Sequence, residues 1–444
     1  MATPKTIAFH TLGCKLNFSE TSSIRQQFES AGYGVVDFKQ DADIYVVNTC
    51  SVTDFADRKC RNIARKAKRT NPDASVVMMG CYAQLKPEEI TQIKEVDMVV
   101  GAKDKFRLLD VINEMVGLED GMDTINLVGD IDAVTKFDSA FSLGDRTRTF
   151  LKVQDGCDYK CTFCTIPQAR GKSRSDTVTN IVNRAQLLGE NGVKEIVLTG
   201  VNIGDFGNGT EVIEGVRPKK EDMFIDLIKA LDLTDSVERF RISSIEPNLC
   251  NDEIIEFVTH SDKFVPHFHL PLQSGSNVIL ASMKRRYKRE LYADRVSKIK
   301  ELMPEACIGV DVIVGYPGET DDHFLETYHF LESLDISYLH VFTYSERDNT
   351  PAATMDGVVD MHLRRKRNEM LRNLSSQKKA AFYKQHGQSF GPVLFEKENK
   401  DGYMYGFTEN YLKVRVPYDA AFSNTLVNVK EEEKCKDNYE LVLT

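Results

Sequence analysis

Three cysteines stand within eight consecutive residues, Cys157, Cys161 and Cys164, in the spacing C-x3-C-x2-C. No fourth cysteine lies close by, and the next histidine downstream is His260. Four thiolates close an iron–sulfur cluster. Three leave one iron of a [4Fe–4S] cube with a vacant position, the arrangement that separates a reactive metal centre from a structural one. A zinc knuckle wants a fourth ligand within short reach, and buried thiols need no particular spacing. The run therefore points to a cluster that binds a substrate or cofactor rather than one that stores electrons.

A second set is dispersed. Cys14, Cys50 and Cys81 each follow a short apolar run (Ile7–Thr11, Ile44–Asn48 and Val76–Met79) that reads as a strand. In a parallel sheet all strands end on the same edge, where ligands usually bind, so cysteines far apart in sequence converge there. Gly13 and Gly80 directly precede two of them and allow close backbone approach to a bulky group. Taken singly, each is a buried core cysteine; three at equivalent strand ends point to a second cluster. Cys60 reads as a packing thiol, and Cys250, Cys307 and Cys435 as buried thiols.

The elements that must carry these cysteines fall into segments. Residues 1–115 alternate short strands and helices, an N-terminal parallel α/β domain. Residues 116–147 are polar with weak periodicity and read as a linker. Residues 148–386 repeat the alternation with six strands, Phe150–Gln154, Glu195–Thr199, Phe240–Ser243, His267–Leu270, Ile308–Val314 and Tyr338–Phe342, which makes a partial (βα)6 barrel short of the usual eight. Residues 387–444 hold short strands with Gly, Asn and Asp turns and no helix, a small antiparallel β-barrel.

The 444 residues are 41% hydrophobic and 28% charged, ordinary for a globular protein. No signal-like start and no long apolar run is present, so the expected location is the cytoplasm, without a membrane, where ten cysteines stay reduced. The net charge of −10 argues against nonspecific nucleic-acid binding. Basic residues nevertheless cluster, seven in Arg58–Arg69, five in Lys284–Arg289 and four in Arg364–Arg367, either solvated helix faces or a phosphate-contacting surface. The tail from Phe390 carries seven basic and ten acidic residues, so it is no electrostatic magnet.

The C-x3-C-x2-C run resembles that of the radical S-adenosylmethionine (SAM) superfamily, and the wider set of motifs resembles the methylthiotransferases within it. The resemblance covers nearly the whole chain. Thr11-Leu-Gly-Cys-Lys-Leu-Asn17, Asn48-Thr-Cys-Ser-Val52 and Met79-Gly-Cys-Tyr-Ala83 look like the family's N-terminal cluster motifs. Cys157 to Pro167 with Arg170-Gly-Lys-Ser-Arg174, His269-Leu-Pro-Leu-Gln-Ser-Gly-Ser276 and Asp311 to Thr320 look like its radical core. The tail looks like an RNA-binding TRAM domain.

The resemblance implies two [4Fe–4S] clusters and SAM. One cluster, on Cys157, Cys161 and Cys164, would cleave SAM to a 5′-deoxyadenosyl radical. The other, on Cys14, Cys50 and Cys81, would carry sulfur that a second SAM methylates. Phe163 is placed to pack on adenine or simply to pack its loop; Gly200 would admit the SAM amino group. Ser243, Ser244, Glu246 and Gln273 end barrel strands, where barrel active sites gather. Arg174, with Arg170, would contact SAM or RNA phosphate, or form only local salt bridges. The partners implied are a tRNA anticodon stem-loop, a low-potential electron donor and a sulfur donor. Lys15 directly after Cys14 is most similar to enzymes acting on N6-threonylcarbamoyladenosine. Isopentenyladenosine in tRNA and a ribosomal-protein aspartate are the rival substrates; a noncatalytic iron–sulfur protein that binds nucleic acid is the rival class.

Overall fold

Apolar runs too short for helices and hydrophobic on both faces build the first sheet. The structure, a computed structural model, describes residues 5–115, 123–144, 146–208, 222–388, 391–428 and 441–442. Strands β1 (Thr6–Thr11), β2 (Gly34–Val36), β3 (Ile44–Thr49), β4 (Ser75–Gly80), β5 (Met98–Val100) and β6 (Ile125–Leu127) lie in the order β2-β1-β3-β4-β5-β6, every pair parallel. All of β3 is buried. The order reverses at β1, and a crevice opens outside the strand ends at such a switch point. Helix α1 (Lys15–Ser30) leaves β1 and α2 (Asp54–Thr70) leaves β3. Thr53 caps α2 by accepting from the Ala56 amide, and Asp54 and Asp57 sit in its first turn opposite Lys68 and Arg69 in its last.

The stretch read as a linker contributes to the sheet: β6 pairs with β5, and Phe141 bridges Leu151 of the barrel. Three half-exposed residues carry no legible period, which is why β6 is invisible in the sequence.

The barrel strands are β7 (Arg148–Lys152), β10 (Glu195–Thr199), β11 (Arg239–Ile242), β12 (His267–Gln273), β13 (Cys307–Val314) and β14 (Tyr338–Thr343). Between β7 and β10, the two-residue strands β8 (Gln154–Asp155) and β9 (Arg174–Ser175) pair antiparallel and bracket the cysteine loop. The barrel strands form two parallel three-stranded sheets, β11-β10-β7 and β12-β13-β14, joined by the single pairs Phe240–Phe264 and Ser244–His269. Leu151, Ile196, Leu198, Phe240, Phe268 and Val310 anchor one continuous core beneath their helices.

Helix Met361–His386 crosses to the C-terminal sheet, strands β15 (Val393–Phe395), β16 (Tyr403–Phe407), β17 (Lys413–Pro417), β18 (Leu426–Val427) and β19 (Leu441–Val442) in the order β18-β15-β16-β17-β19. Three pairings are antiparallel and β17–β19 is parallel, so the sheet is mixed rather than purely antiparallel as expected. No helix among the described residues is long and apolar enough to cross a membrane.

Candidate active site

The turns leaving β1, β3 and β4, three neighbouring strands, carry Cys14, Cys50 and Cys81 to one edge. Cys14 stands at the N-cap position of α1, in extended backbone. Gly13 has φ +100°, and a Cβ on it would stand 2.8 Å from the Cβ of Cys50 and 3.0 Å from its Sγ. The Asn17 amide stitches these turns, donating to the carbonyls of Leu12 (2.7 Å) and Thr49 (3.0 Å). Gly80 (φ +98°) serves its neighbouring strand rather than a cluster: its Cβ would strike Asn48 and Thr49. Burial, then the charges of Cys81 and Cys14, push the Cys50 thiol up to about 12. Cys60 is buried in α2 with its thiol on the Cys50 carbonyl; Cys250 and Cys307 are buried, and Cys435 lies outside the described residues.

Cys157, Cys161 and Cys164 occupy the loop between β8 and β9. Gly156 (φ +69°) opens it, and no side chain fits there because a Cβ would overlap the Lys172 carbonyl. The amides of Tyr159 and Ile166 point at the sulfurs of Cys157 (3.4 Å) and Cys164 (3.5 Å), and Arg285 Nη1 donates to Cys161 Sγ at 3.1 Å. Burial raises all three thiols, Cys164 to about 12. Buried sulfurs of this kind ionise only with a cation at hand, and cluster iron is such a cation.

Among the described residues, the trio of His, Cys, Asp or Glu side chains whose ligand atoms all lie within 4.8 Å of one another is His269, Asp311 and His340. Neither cysteine triad closes that tightly, which suits a cluster better than one ion with bonds of about 2.3 Å.

Helices beside the two triads touch. The short helix Cys81–Leu85 packs against Ile166–Arg170, which follows Cys164. At the end of that helix, Arg170 reaches across: Nη1 donates to Glu20 (3.0 Å) and Asp155 (2.9 Å), Nη2 to Asn17 (2.5 Å). Lys105 (2.6 Å) and Lys152 (3.1 Å) also pair with Glu20, and Lys152 (2.7 Å) and Arg174 (3.1 Å) with Asp155. These four cations and two carboxylates are all buried. Among these cations, Arg170 lies within the field of Cys14, Cys50 and Cys81. An anionic cluster on those thiolates would add a counter-charge for Arg170.

Burial alone would raise Glu20 and Asp155, but their cations outweigh it and hold both carboxyls well below the usual range. Their contribution to stability is therefore complete above the unfolded values near 4 and is lost as pH falls below them. Glu20→Gln should destabilise the chain by about 3–5 kcal/mol at neutral pH, since it leaves buried cations short of a partner. The gap to wild type should narrow below about pH 4. Urea melts at several pH values check both.

The residues expected around SAM are dispersed in role. Phe163 is half-buried against Ile279, Met283 and Tyr316. The missing Cβ of Gly200 leaves room for Gln154 and Ile203; Gln154 Oε1 accepts from the amides of Val201 and Asn202 (both 2.9 Å). Ser243 lines a cavity inside the barrel, and Ser244 bridges the two half-barrels. Glu246 pairs with Arg285, which also holds Cys161. Gln273, at φ +69°, ends β12. Arg174 is buried on Asp155 and on the carbonyls of Arg170, Lys172 and Lys136, which engage four of its five N–H donors, as the local salt-bridge alternative expects.

Parts of two of the basic runs are engaged within the protein. Arg364 and Arg367 are buried on Glu346, Glu319 and Asp321. In α2, Arg58, Arg61, Arg65 and Lys68 are each paired with a carboxylate.

A six-stranded parallel barrel with three cysteines on the loop after its first strand defines a radical SAM protein. The radical SAM superfamily profile matches residues 151–331, and the profile of uncharacterized protein family UPF0004 matches residues 6–101. The threonylcarbamoyladenosine tRNA methylthiotransferase MtaB of Bacillus subtilis is 42% identical, over 92% of this chain and 90% of the relative. A tRNA-2-methylthio-N(6)-dimethylallyladenosine synthase of Alkaliphilus oremlandii is 31% identical, over 95% and 88%. The radical SAM methyltransferase TsrM of Kitasatospora setae shares the fold, with a TM-score of 0.57 at 14% identity over 79% of this chain and 77% of that one. The chain belongs to the radical SAM methylthiotransferase family, MtaB-like, and the cofactors of that class, iron–sulfur clusters and SAM, come with membership.

Sequence reasoning passed over Glu20, Lys105, Lys152 and Asp155, which are dispersed single charges. It also passed over Arg285, hidden in a basic run, and the meeting of His269 and Asp311, each heading a motif already noted, with His340 on the neighbouring barrel strand.

Proposed function

We propose that this protein replaces the C2–H of N6-threonylcarbamoyladenosine, beside the tRNA anticodon, with a methylthio group, using SAM both as radical source and as methyl donor. The observation that carries the reading is the contact between the Cys81–Leu85 helix, which begins at one triad, and the Ile166–Arg170 helix, which follows the other. The 42% identity to an enzyme whose name contains that nucleoside favours the substrate. Cys157, Cys161 and Cys164 hold the SAM-binding cluster, and Cys14, Cys50 and Cys81 the sulfur-bearing one. Bound there, the cofactors supply reductive cleavage of SAM and a sulfur for transfer.

The chain's own residues arrange the rest. Backbone amides and Arg285 donate to the cluster sulfurs, Glu246 fixes Arg285, and Gln154 ties the turn before Cys157 to the end of β10. Arg170 locks the N-terminal sheet against the barrel, so that the two centres keep one spacing. Tyr403, over which Arg415 sits at 4.7 Å, and Tyr405, beneath Lys413 at 4.1 Å, offer rings for unpaired bases, in keeping with a TRAM-like role for the C-terminal sheet. The protein works in the cytoplasm with a low-potential electron donor and a sulfur donor.

Anaerobically reconstituted protein, incubated with dithionite, SAM and tRNA holding both threonylcarbamoyl- and isopentenyl-adenosine, tests this. Mass spectrometry of the nucleosides should show a methylthio gain on the threonylcarbamoyl nucleoside alone; a gain on the isopentenyl nucleoside instead would contradict the assignment.

A further inference from the structure

A cavity of about 910 Å³ runs from Lys15, next to Cys14, past the barrel wall to the C-terminal sheet. Seven of its lining residues are Lys or Arg and two are Glu, in a chain whose net charge is −10. A cavity of that polarity selects an anion.

Several of these cations are already engaged. Arg148 pairs with Glu396 at 3.1 Å and lies over the Phe407 ring; Arg241 pairs with Glu195 at 2.9 Å. Lys15 differs: it is exposed to the cavity and makes no ion pair among the described residues. Its charge nonetheless reaches the middle of the site. Burial first, then Arg241, His269 and Lys15, push His267 well down; burial, with Lys15 contributing, lowers His340 as well. Burial would raise the Tyr411 phenol, yet Arg148, Arg241 and Lys15 hold it below its usual value. Both histidines are thus neutral at neutral pH, and Tyr411, stacked on Phe407 with centroids 4.9 Å apart, adds a flat apolar wall. The pocket combines an aromatic surface with an ammonium that has no counter-ion of its own.

We propose that Lys15 recognises the carboxylate of the threonylcarbamoyl group on the substrate nucleoside and so selects this acidic nucleoside over one bearing a hydrocarbon. The inference rests on the threonylcarbamoyladenosine reading above. A threonylcarbamoyl group ends in a free carboxylate, whereas a dimethylallyl group carries no polar atom. Lys15 gains an ion pair from the first; the second would cover the ammonium without pairing it, a cost that adds to the discrimination.

The test uses the full-length, anaerobically reconstituted protein and three synthetic anticodon stem-loops, carrying threonylcarbamoyladenosine, its carboxylate methyl ester, or plain adenosine. Wild type should bind the acid roughly tenfold to a hundredfold more tightly than the ester. Lys15→Gln should weaken the acid alone and bring the two within about threefold, and Lys15→Arg should restore most of the preference. Equal binding of acid and ester by wild type, or an undiminished preference in Lys15→Gln, overturns the proposal. Methylthiolation of the acid nucleoside by a protein without that preference would remove this inference and leave the proposed function standing. A Lys15-dependent preference without such methylthiolation would do the reverse.

Discussion

Cys161→Ala should reduce formation of 5′-deoxyadenosine from SAM under dithionite to the level of a buffer control. Cys161 is the middle cysteine of a loop that has three. Its sulfur also accepts from Arg285, the residue that Glu246 holds in place. The loop's other anchors do not depend on that sulfur: the Cys157 amide bonds the Gly171 carbonyl at 3.1 Å, and the Thr162 amide bonds the Met283 carbonyl at 3.2 Å. The fold should therefore survive while the chemistry fails. Liquid chromatography of the deoxyadenosine product, beside a thermal melt, reads both.

Cys50→Ala should give the complementary result, continued SAM cleavage with methylthiolation lost. Cys50 leaves β3 in a different sheet from the barrel loop, and Arg170 bonds Glu20, Asp155 and Asn17 rather than Cys50. Losing this one thiol leaves the lock between sheet and barrel intact and removes a ligand from the sulfur-bearing centre only. The same assay, with nucleoside mass spectrometry added, separates the two steps. Cleavage abolished equally in both variants would refute the division of labour between the triads.

The positions of both triads were legible because each rests on a local signal. For the barrel triad it is spacing within one loop. For the other it is an apolar strand followed by a cysteine three times over, and parallel pairing does the remainder. The barrel strands Glu195–Thr199 and Cys307–Val314 were legible for a similar reason, as largely buried apolar runs, whereas Tyr338–Thr343 is half-exposed. What the sequence hid was tertiary. Glu20, Lys105, Lys152, Asp155 and Arg170 span 151 positions of chain and meet only once the sheet docks on the barrel. Arg364 and Arg367 read as a solvent-facing run yet are buried, because each finds a carboxylate on a segment outside its helix. Local charge density does not reveal whether a partner awaits it. The cationic cavity was missed for the opposite reason: Lys15, Arg148, Arg241 and Lys413 stand far apart in sequence and assemble only in three dimensions.

The central claim is that two separate triads hold two separate clusters. Iron and acid-labile sulfide per chain, counted after anaerobic reconstitution, test it most directly. Wild type should hold about eight irons, and a Cys14→Ala, Cys50→Ala, Cys81→Ala variant and a Cys157→Ala, Cys161→Ala, Cys164→Ala variant about four each, with a [4Fe–4S] Mössbauer signature in every case. About four irons in wild type, or none left after removing either triad alone, would contradict the account.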